Sequence, residues 1–450
     1  SLLKDDSRLT DEDTVIYADT SMCEGVSKKE AHDRFKKNLY LKLQGDTGKN
    51  LPWGYLTGVR PSKIAYSMLE AGNSDEEIMS EFEEKHFVSH DKAELAMQVA
   101  KTEKKILEDI DYTNGYSIYI GIPFCPTTCL YCSFTSYSLA ANRSKVDLYL
   151  DALVKEMRFV ADRMKGRRLD TVYFGGGTPT TLEPEQLDRL LNELEADFDM
   201  STIKELTVEA GRPDSVTAQK LEVLKKHGVD RISINPQTMN DKTLEIIGRR
   251  HSATQVEEAF KLARSVGFDN INMDIILGLP GEGINELRYT LDKIKELKPE
   301  SLTVHSLAIK RAAALNIWRE KYEDLKFENS DETVSLAQKY AGDIGCMPYY
   351  MYRQKNMAGN LENVGYSVPG KECIYNILIM EEKQSIVAVG AGASTKAVFS
   401  AAEDQLKNGQ PGKEVKLEKR IERVENVKDV GQYIARIDEM IERKGELLWH

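Results

Sequence analysis

From about residue 117 to 310, short β-branched apolar runs alternate with longer stretches in which apolar residues recur every three or four positions. The short runs predict strands and the three- and four-residue steps predict helices with one apolar face. Six runs read as strands: Ser117–Ile122, Thr171–Phe174, Leu206–Glu209, Arg231–Asn235, Ile271–Ile276 and Leu302–His305. Each intervening stretch is long enough for a crossover helix, which predicts an α/β fold built on a parallel sheet, a partial (β/α)6 barrel. The clearest helix follows the first strand, where Val146, Tyr149, Leu150, Leu153, Met157, Val160 and Met164 share one face.

The flanks have different patterns. Residues 1–114 carry amphipathic helical segments and the turn-rich LPWGYLTGVRP, and are expected to form a helical N-terminal appendage. Within that turn Trp53, Arg60 and Lys63 are candidate binding residues, although an aromatic turn packed on the barrel is the plainer expectation. The barrel is assigned to 115–310 and a mixed C-terminal domain covering its mouth to 311–450. In the latter, a helix is expected around Glu332–Ile344, then an irregular tyrosine-rich segment, a strand at Ser385–Val389 and a turn at Gly390–Thr395. The charged stretch Glu403–Asp429 reads as a solvated loop or hairpin. Val430, Tyr433, Ile434, Ile437, Met440 and Ile441 predict a closing amphipathic helix.

Composition narrows the class. The 450 residues carry 30 % charged and 41 % hydrophobic side chains, as in ordinary globular proteins, with no apolar run long enough to span a bilayer. A formal net charge of -12 disfavours broad attraction to nucleic-acid phosphates. Ser1 to Thr14 lack the apolar core of a secretory signal, so a reducing cytoplasm is the expected location, and a start at Ser1 instead of methionine is expected of a chain trimmed at its front.

The 6 cysteines are too few for a disulfide scaffold. Cys23, Cys346 and Cys373 stand alone and are expected as free thiols in or near a core. Cys125, Cys129 and Cys132 follow directly on the first strand, which places them on a loop at its C-terminal end, where β/α barrels build active sites. Soft thiolates favour an iron–sulfur cluster, zinc or copper(I). A zinc knuckle needs a second C-x-x-C unit or a His pair, and neither follows here. A [4Fe-4S] cube normally takes four thiolates, so three leave one iron open to a further ligand. Gly175-Gly176-Gly177-Thr178 comes immediately after the second strand and permits close backbone approach to a polar group. Glu209, Gln237, Arg249 and Asp274 fall at or near successive strand ends and are expected to line the same pocket.

The stretch YIGIPFCPTTCLYCSF, Tyr119 to Phe134, resembles the radical S-adenosylmethionine (SAM) superfamily, and its I-P-F resembles the oxygen-independent coproporphyrinogen III oxidase-like branch. LPWGYLTGVRPSKI, HSLAIKR and VGAGASTK resemble the HemZ-type coproporphyrinogen dehydrogenases. The resemblance implies a [4Fe-4S] cluster on the three cysteines as the catalytic centre. It implies one or two SAM molecules on the glycine turn, Glu209, Gln237, Arg249 and Asp274, with Tyr119, Tyr131 and Ala308 in contact. Arg249 would grip a carboxylate in a bidentate fork, and the others ribose hydroxyls or the ammonium. The implied reaction begins when a donor such as flavodoxin or ferredoxin delivers an electron, SAM splits to methionine and a 5′-deoxyadenosyl radical, and two propionates of coproporphyrinogen III become vinyls. His305, Lys310 and Arg311 are candidate contacts for the tetracarboxylate, and Tyr349–Arg353 a candidate stacking surface. One departure matters: Phe134 stands where the oxidase branch has a further cysteine, an ending shared with the haem chaperones. Haem binding and transfer, or a radical reaction on haem itself, are therefore the alternatives.

Overall fold

The computed structural model describes residues 26–58, 60–308, 329–354, 361–399 and 420–449. They divide into two compact units, one of the described residues from 26 to 57 with 74–94, the other of those in 58–73 and from 95 to 449. The expected appendage 1–114 is thus shared between the two.

In the first unit, Ser27 caps the helix Lys28–Thr47 by accepting from Glu30 N–H at 3.2 Å. A second helix, Asp75–Ser80, opens on a Ser74/Glu77 capping box. Trp53, Ile78 and Phe82 are fully buried, and Trp53 bridges Val88 across the turn. Trp53 is a core residue here.

The second unit is organised by one sheet of 11 strands. In chain order the strands are β1 (Gly115–Ile122), β2 (Phe124–Cys125), β3 (Tyr137–Ser138), β4 (Arg168–Gly176), β5 (Glu205–Glu209), β6 (Arg231–Ser233), β7 (Ile271–Leu277), β8 (Ser301–Ser306), β9 (Met347–Tyr352), β10 (Asn363–Ser367), β11 (Ser385–Val389), β12 (Ser394–Phe399) and β13 (Arg420–Glu425). The sheet order is β13-β12-β11-β1-β4-β5-β6-β7-β8-β10-β9, and β2 pairs only with β3. All six expected strands are present as the parallel series β1, β4, β5, β6, β7, β8. Helices join them, each burying one apolar face. Leu187, Leu190, Leu191 and Leu194 do so for Pro184–Asp197, and Leu287, Leu291 and Ile294 for Ile284–Leu297. The helix Val146–Arg163 buries the face the pattern predicts and, among its apolar residues, Glu156.

Two details differ from expectation. β6 stops at Ser233, short of Asn235: Pro236 lacks an N–H for the ladder, and the Asn235 side-chain oxygen instead accepts from Asp274 N–H at 3.2 Å. The stretch 311–450, expected as a C-terminal domain of its own, adds strands to both edges of the barrel sheet. β10 and β9 extend it antiparallel beyond β8, and β11 pairs parallel with β1 before β12 and β13 turn back. Part of the stretch expected as a solvated loop or hairpin is thereby β13, paired from Arg420 to Glu425. Arg60 is also accounted for. Its guanidinium donates to Met380 O and pairs with Glu382 at 2.6 Å. Among the described residues no helix is long and apolar enough to cross a membrane.

Candidate functional site

β1 delivers the chain to Pro123 and the short β2, whose pairing of Phe124 with Tyr137 and Cys125 with Ser138 ties both ends of the cysteine loop together. Inside the loop Cys132 N–H donates to Cys129 O at 3.1 Å. Its far wall is pinned by Leu130 N–H to Ile247 O at 3.0 Å and Thr127 Oγ1 to Gly248 O at 3.1 Å. Leu130 and Tyr131 pack on buried Leu244, Ile247, Ile276, Leu279 and Leu307. The loop is therefore held before any cofactor is added.

Cys129 is buried, and Cys125 and Cys132 are half-buried. Each sulfur has its own polar neighbour. Thr178 Oγ1 lies 3.6 Å from Cys125, Ser136 Oγ lies 3.8 Å from Cys132, and Arg212 Nη1 lies 3.8 Å from Cys129. Burial pushes the free Cys125 thiol up to about 11. Among the described residues no three His, Cys, Asp or Glu side chains converge on a single ion.

The glycine turn is fastened to this loop. Gly177 N–H donates to Ile122 O at 2.8 Å and Thr178 N–H to Phe124 O at 2.7 Å. A Cβ at Gly177 would sit 2.6 Å from Phe124 O and 3.0 Å from Cys125 Sγ, so only glycine lets the two segments approach this closely. Gly176 has φ +110, and a Cβ on Gly175 would lie 3.2 Å from Glu209 Oε1.

Below the mouth, a chain of partly open side chains crosses the barrel interior. Tyr119 in β1, Glu209 in β5, Asp274 in β7 and His305 in β8 are each the only partly open residue of an otherwise buried strand, and Tyr173 is the partly open residue in the middle of β4. Tyr119 stacks on Tyr173 at 6.2 Å, and Tyr173 on Tyr375 at 4.5 Å. Tyr173 donates to Glu209 Oε1 at 2.7 Å. His305 Nε2 lies 3.8 Å from Asp274 Oδ2, and its Nδ1 is 3.4 Å from the Tyr352 hydroxyl. Burial works against the Asp274 carboxylate, but hydrogen bonding and charge from His305, with bonds from Asn272 and Thr303, hold its pKa below the usual value.

Glu209 goes the other way. Burial raises it to about 7, and nearby Asp274 adds to the rise against the Tyr173 hydrogen bond. A carboxyl whose folded pKa exceeds its unfolded value keeps its full stability contribution at low pH and loses it as pH climbs through the folded value. Denaturant midpoints of wild type and Glu209→Gln are therefore expected to agree below about pH 4, with the variant more stable by about pH 8. A gap that does not change with pH would contradict this.

Gln237 is at φ +65, bonded N–H to Asp274 O at 2.9 Å, with its Oε1 buried and unpartnered. Arg249 is buried. It donates to Asn235 O and, at 3.5 Å, to Gly211 O, and its Nε has no partner. These orphaned polar atoms and the glycine cradle fit a zwitterionic ligand beside the cysteine loop. Tyr131 stands on the cysteine loop, and Ala308 is half-buried just past β8. Of the substrate candidates, His305 joins Asp274, while Lys310 and Arg311 lie outside the described residues, as does Cys23. In the Tyr349–Arg353 segment, a candidate stacking surface for which aromatic core packing is the plainer expectation, Tyr349 and Tyr350 are buried core residues, and Cys346 and Cys373 are buried thiols. Sequence reasoning missed Tyr173, Tyr375 and Arg212. The last had a readable signal in Arg212-Pro213-Asp214, opposite charges two positions apart just after a strand end.

The Radical SAM superfamily model matches residues 119–294. The chain is 43 % identical over 381 residues to the oxygen-independent coproporphyrinogen-III oxidase-like protein HemZ of Bacillus subtilis, covering 83 % of this chain and 76 % of that protein. It is 40 % identical over 194 residues to the heme chaperone HemW of the same organism, covering 43 % and 50 %. The structure of coproporphyrinogen III oxidase (HemN) from Escherichia coli aligns with a TM-score of 0.56 at 21 % identity, over 75 % of this chain and 73 % of that one. The chain belongs to the radical SAM superfamily and, within it, to the oxygen-independent coproporphyrinogen-III oxidase-like family that includes HemZ.

Proposed function

We propose that the protein is a radical SAM oxidoreductase that decarboxylates coproporphyrinogen III oxidatively, turning two propionates into vinyls to give protoporphyrinogen IX in haem biosynthesis. The observation that carries the reading is the line of partly open residues from Tyr119 through Tyr173, Glu209 and Asp274 to His305. It runs beneath a pinned three-cysteine loop, in a chain similar to HemZ over most of its length. Cys125, Cys129 and Cys132 would hold a [4Fe-4S] cluster. Gly175, Gly176, Gly177 and Thr178 with Gln237 and Arg249 would hold SAM, with Tyr119, Tyr131 and Ala308 at its edge. Bound together, these groups supply one-electron chemistry that ends in hydrogen abstraction from the substrate. The chain orients them: Tyr173 fixes the Glu209 carboxyl, Asn272 and His305 fix Asp274, and the buried interior limits water.

Anaerobic turnover with SAM, a flavodoxin or ferredoxin donor and coproporphyrinogen tests the reading. The expected products are 5′-deoxyadenosine and a tetrapyrrole that has lost two carboxyl groups. If 5′-deoxyadenosine forms without a vinyl product, the substrate assignment fails. One observation favours a second reading, haem binding and transfer. Phe134, two positions past Cys132, is 72 % exposed at the cluster loop, where an apolar ring suits a flat macrocycle. Stoichiometric haem binding with transfer to an apo-haemoprotein would support that case. Haem consumed with a change of mass would instead indicate a radical reaction on haem.

A further inference from the structure

The three cysteine sulfurs are not equivalently surrounded. Cys125 and Cys132 each face a neutral hydroxyl, from Thr178 and Ser136. Cys129 faces a guanidinium, with Arg212 Nη1 at 3.8 Å. Arg212 is 3 % exposed, and its donors are committed. Nε and Nη2 grip Asp214 in a fork at 2.9 and 2.8 Å, and Nη1 also donates to Thr127 O at 3.2 Å and Thr127 Oγ1 at 3.1 Å. The backbone beneath it is fixed as well. Arg212 O accepts from Ser215 N–H at 2.9 Å and Ser215 Oγ at 2.7 Å, and Pro213 restricts the backbone of Arg212, the residue before it. A side chain this buried, with every nitrogen already bonded within the protein, acts through its charge on the loop it touches.

That charge is not cancelled by Asp214. His251, with its side chain fully buried and both ring nitrogens unpartnered, lies 4.0 Å from Asp214 Oδ1. Burial and the positive fields of Arg249 and Arg212 still push it down to about 3, against the pull of Asp214. The histidine therefore stays neutral and adds no charge of its own.

We propose that Arg212 is a positioning residue that donates to the Cys129 sulfur, raises the reduction potential of the cluster and makes it easier to charge with an electron. The proposal rests on the three cysteines being the cluster ligands. The physical basis is general. Reduction adds negative charge to the cube, and a buried donor and positive charge beside one ligand sulfur stabilise the reduced form more than the oxidised one. Asp214 works in opposition, by orienting the guanidinium while offsetting part of its charge.

The test uses the full chain, reconstituted anaerobically, with iron and sulfide measured and the midpoint potential followed by EPR during stepwise chemical reduction. Arg212→Gln is expected to keep the cube and to lower the one-electron reduction equilibrium about tenfold, a 59 mV negative shift. Asp214→Asn, which removes the counter-charge and leaves the guanidinium, is expected to shift the midpoint in the positive direction. Arg212→Lys, which keeps the charge without the fork, should fall between wild type and Arg212→Gln. Opposite signs from neighbouring substitutions are not what a merely structural role produces. A wild-type midpoint in Arg212→Gln, or shifts of the same sign in both variants, overturns the proposal. If Arg212→Gln holds no cube, Asp214→Asn decides: a raised midpoint supports the proposal and an unchanged one overturns it. A wild-type chain that never acquires a cube overturns the ligand assignment itself, a separate outcome read from iron content alone.

Discussion

Cys129→Ala is expected to take the reconstituted chain from about four irons per polypeptide to a small residue of that value, with all SAM cleavage lost. The fold should survive. The loop is tied by the β2–β3 pair and by Leu130 and Thr127 to the end of the helix Asp241–Ile246, and only one buried sulfur is removed. The alanine leaves Arg212 Nη1 without its sulfur acceptor, so a cation near the vacated position adds to the loss of a ligand. Iron and sulfide analysis with circular dichroism on the same sample checks both halves. A full complement of iron in the variant would remove the basis of the site assignment.

The largest stability effect is expected at Glu156. It sits in the helix Val146–Arg163 with its side chain fully buried, 3.2 Å from an equally buried Lys444 Nζ. Its carboxylate accepts from Gly390 N–H at 2.9 Å, the Tyr433 hydroxyl at 2.5 Å and Asn426 Nδ2 at 2.9 Å. Lys444 in turn donates to Ala388 O at 2.7 Å and Thr395 Oγ1 at 3.2 Å. One carboxylate thus fastens the helices Val430–Ala435 and Ile437–Trp449 to β11, β12 and the turn between them. Glu156→Ala strands a buried ammonium and several donors, a loss of about 3–5 kcal/mol. Denaturant unfolding measures it, and protease cleavage near residues 430–449 should accelerate. Glu156→Ala paired with Lys444→Met is expected to recover part of the loss, since removing both charges avoids a lone buried ion. A single variant as stable as wild type would refute this account.

The barrel was readable because its physics is local. Each strand of the parallel series is a short apolar run, and each helix repeats its apolar positions at three or four residues, so β1, β4, β5, β7 and β8 fell where the pattern placed them. The positions of the cysteine loop and glycine turn were readable because both follow directly on strand ends, and close backbone approach demands glycine at a particular place. What the pattern hid was non-local. Nothing near Ser385 indicates that β11 lies beside β1, or that β10 lies beside β8, because strand partners are chosen by long-range packing. The role of Glu156 depends on Tyr433, Asn426 and Lys444, far along the chain. Tyr173 meets Tyr375 and Glu209 only through the fold. No spacing rule links Arg212 to a sulfur on the cysteine loop.

The placement of β11 bears on how the chain is made. Tyr116 through Ile120 find one neighbour in β4, soon after in synthesis, but the other only when Ser385 through Val389 have left the ribosome. During translation the strand that leads into the cysteine loop keeps one flank of unpaired amides, and such late-closing contacts slow folding and invite association between nascent chains. Cluster insertion then has a natural order. If the three cysteines take up a cluster, one loaded before the last quarter of the chain emerges would rest on a half-built scaffold.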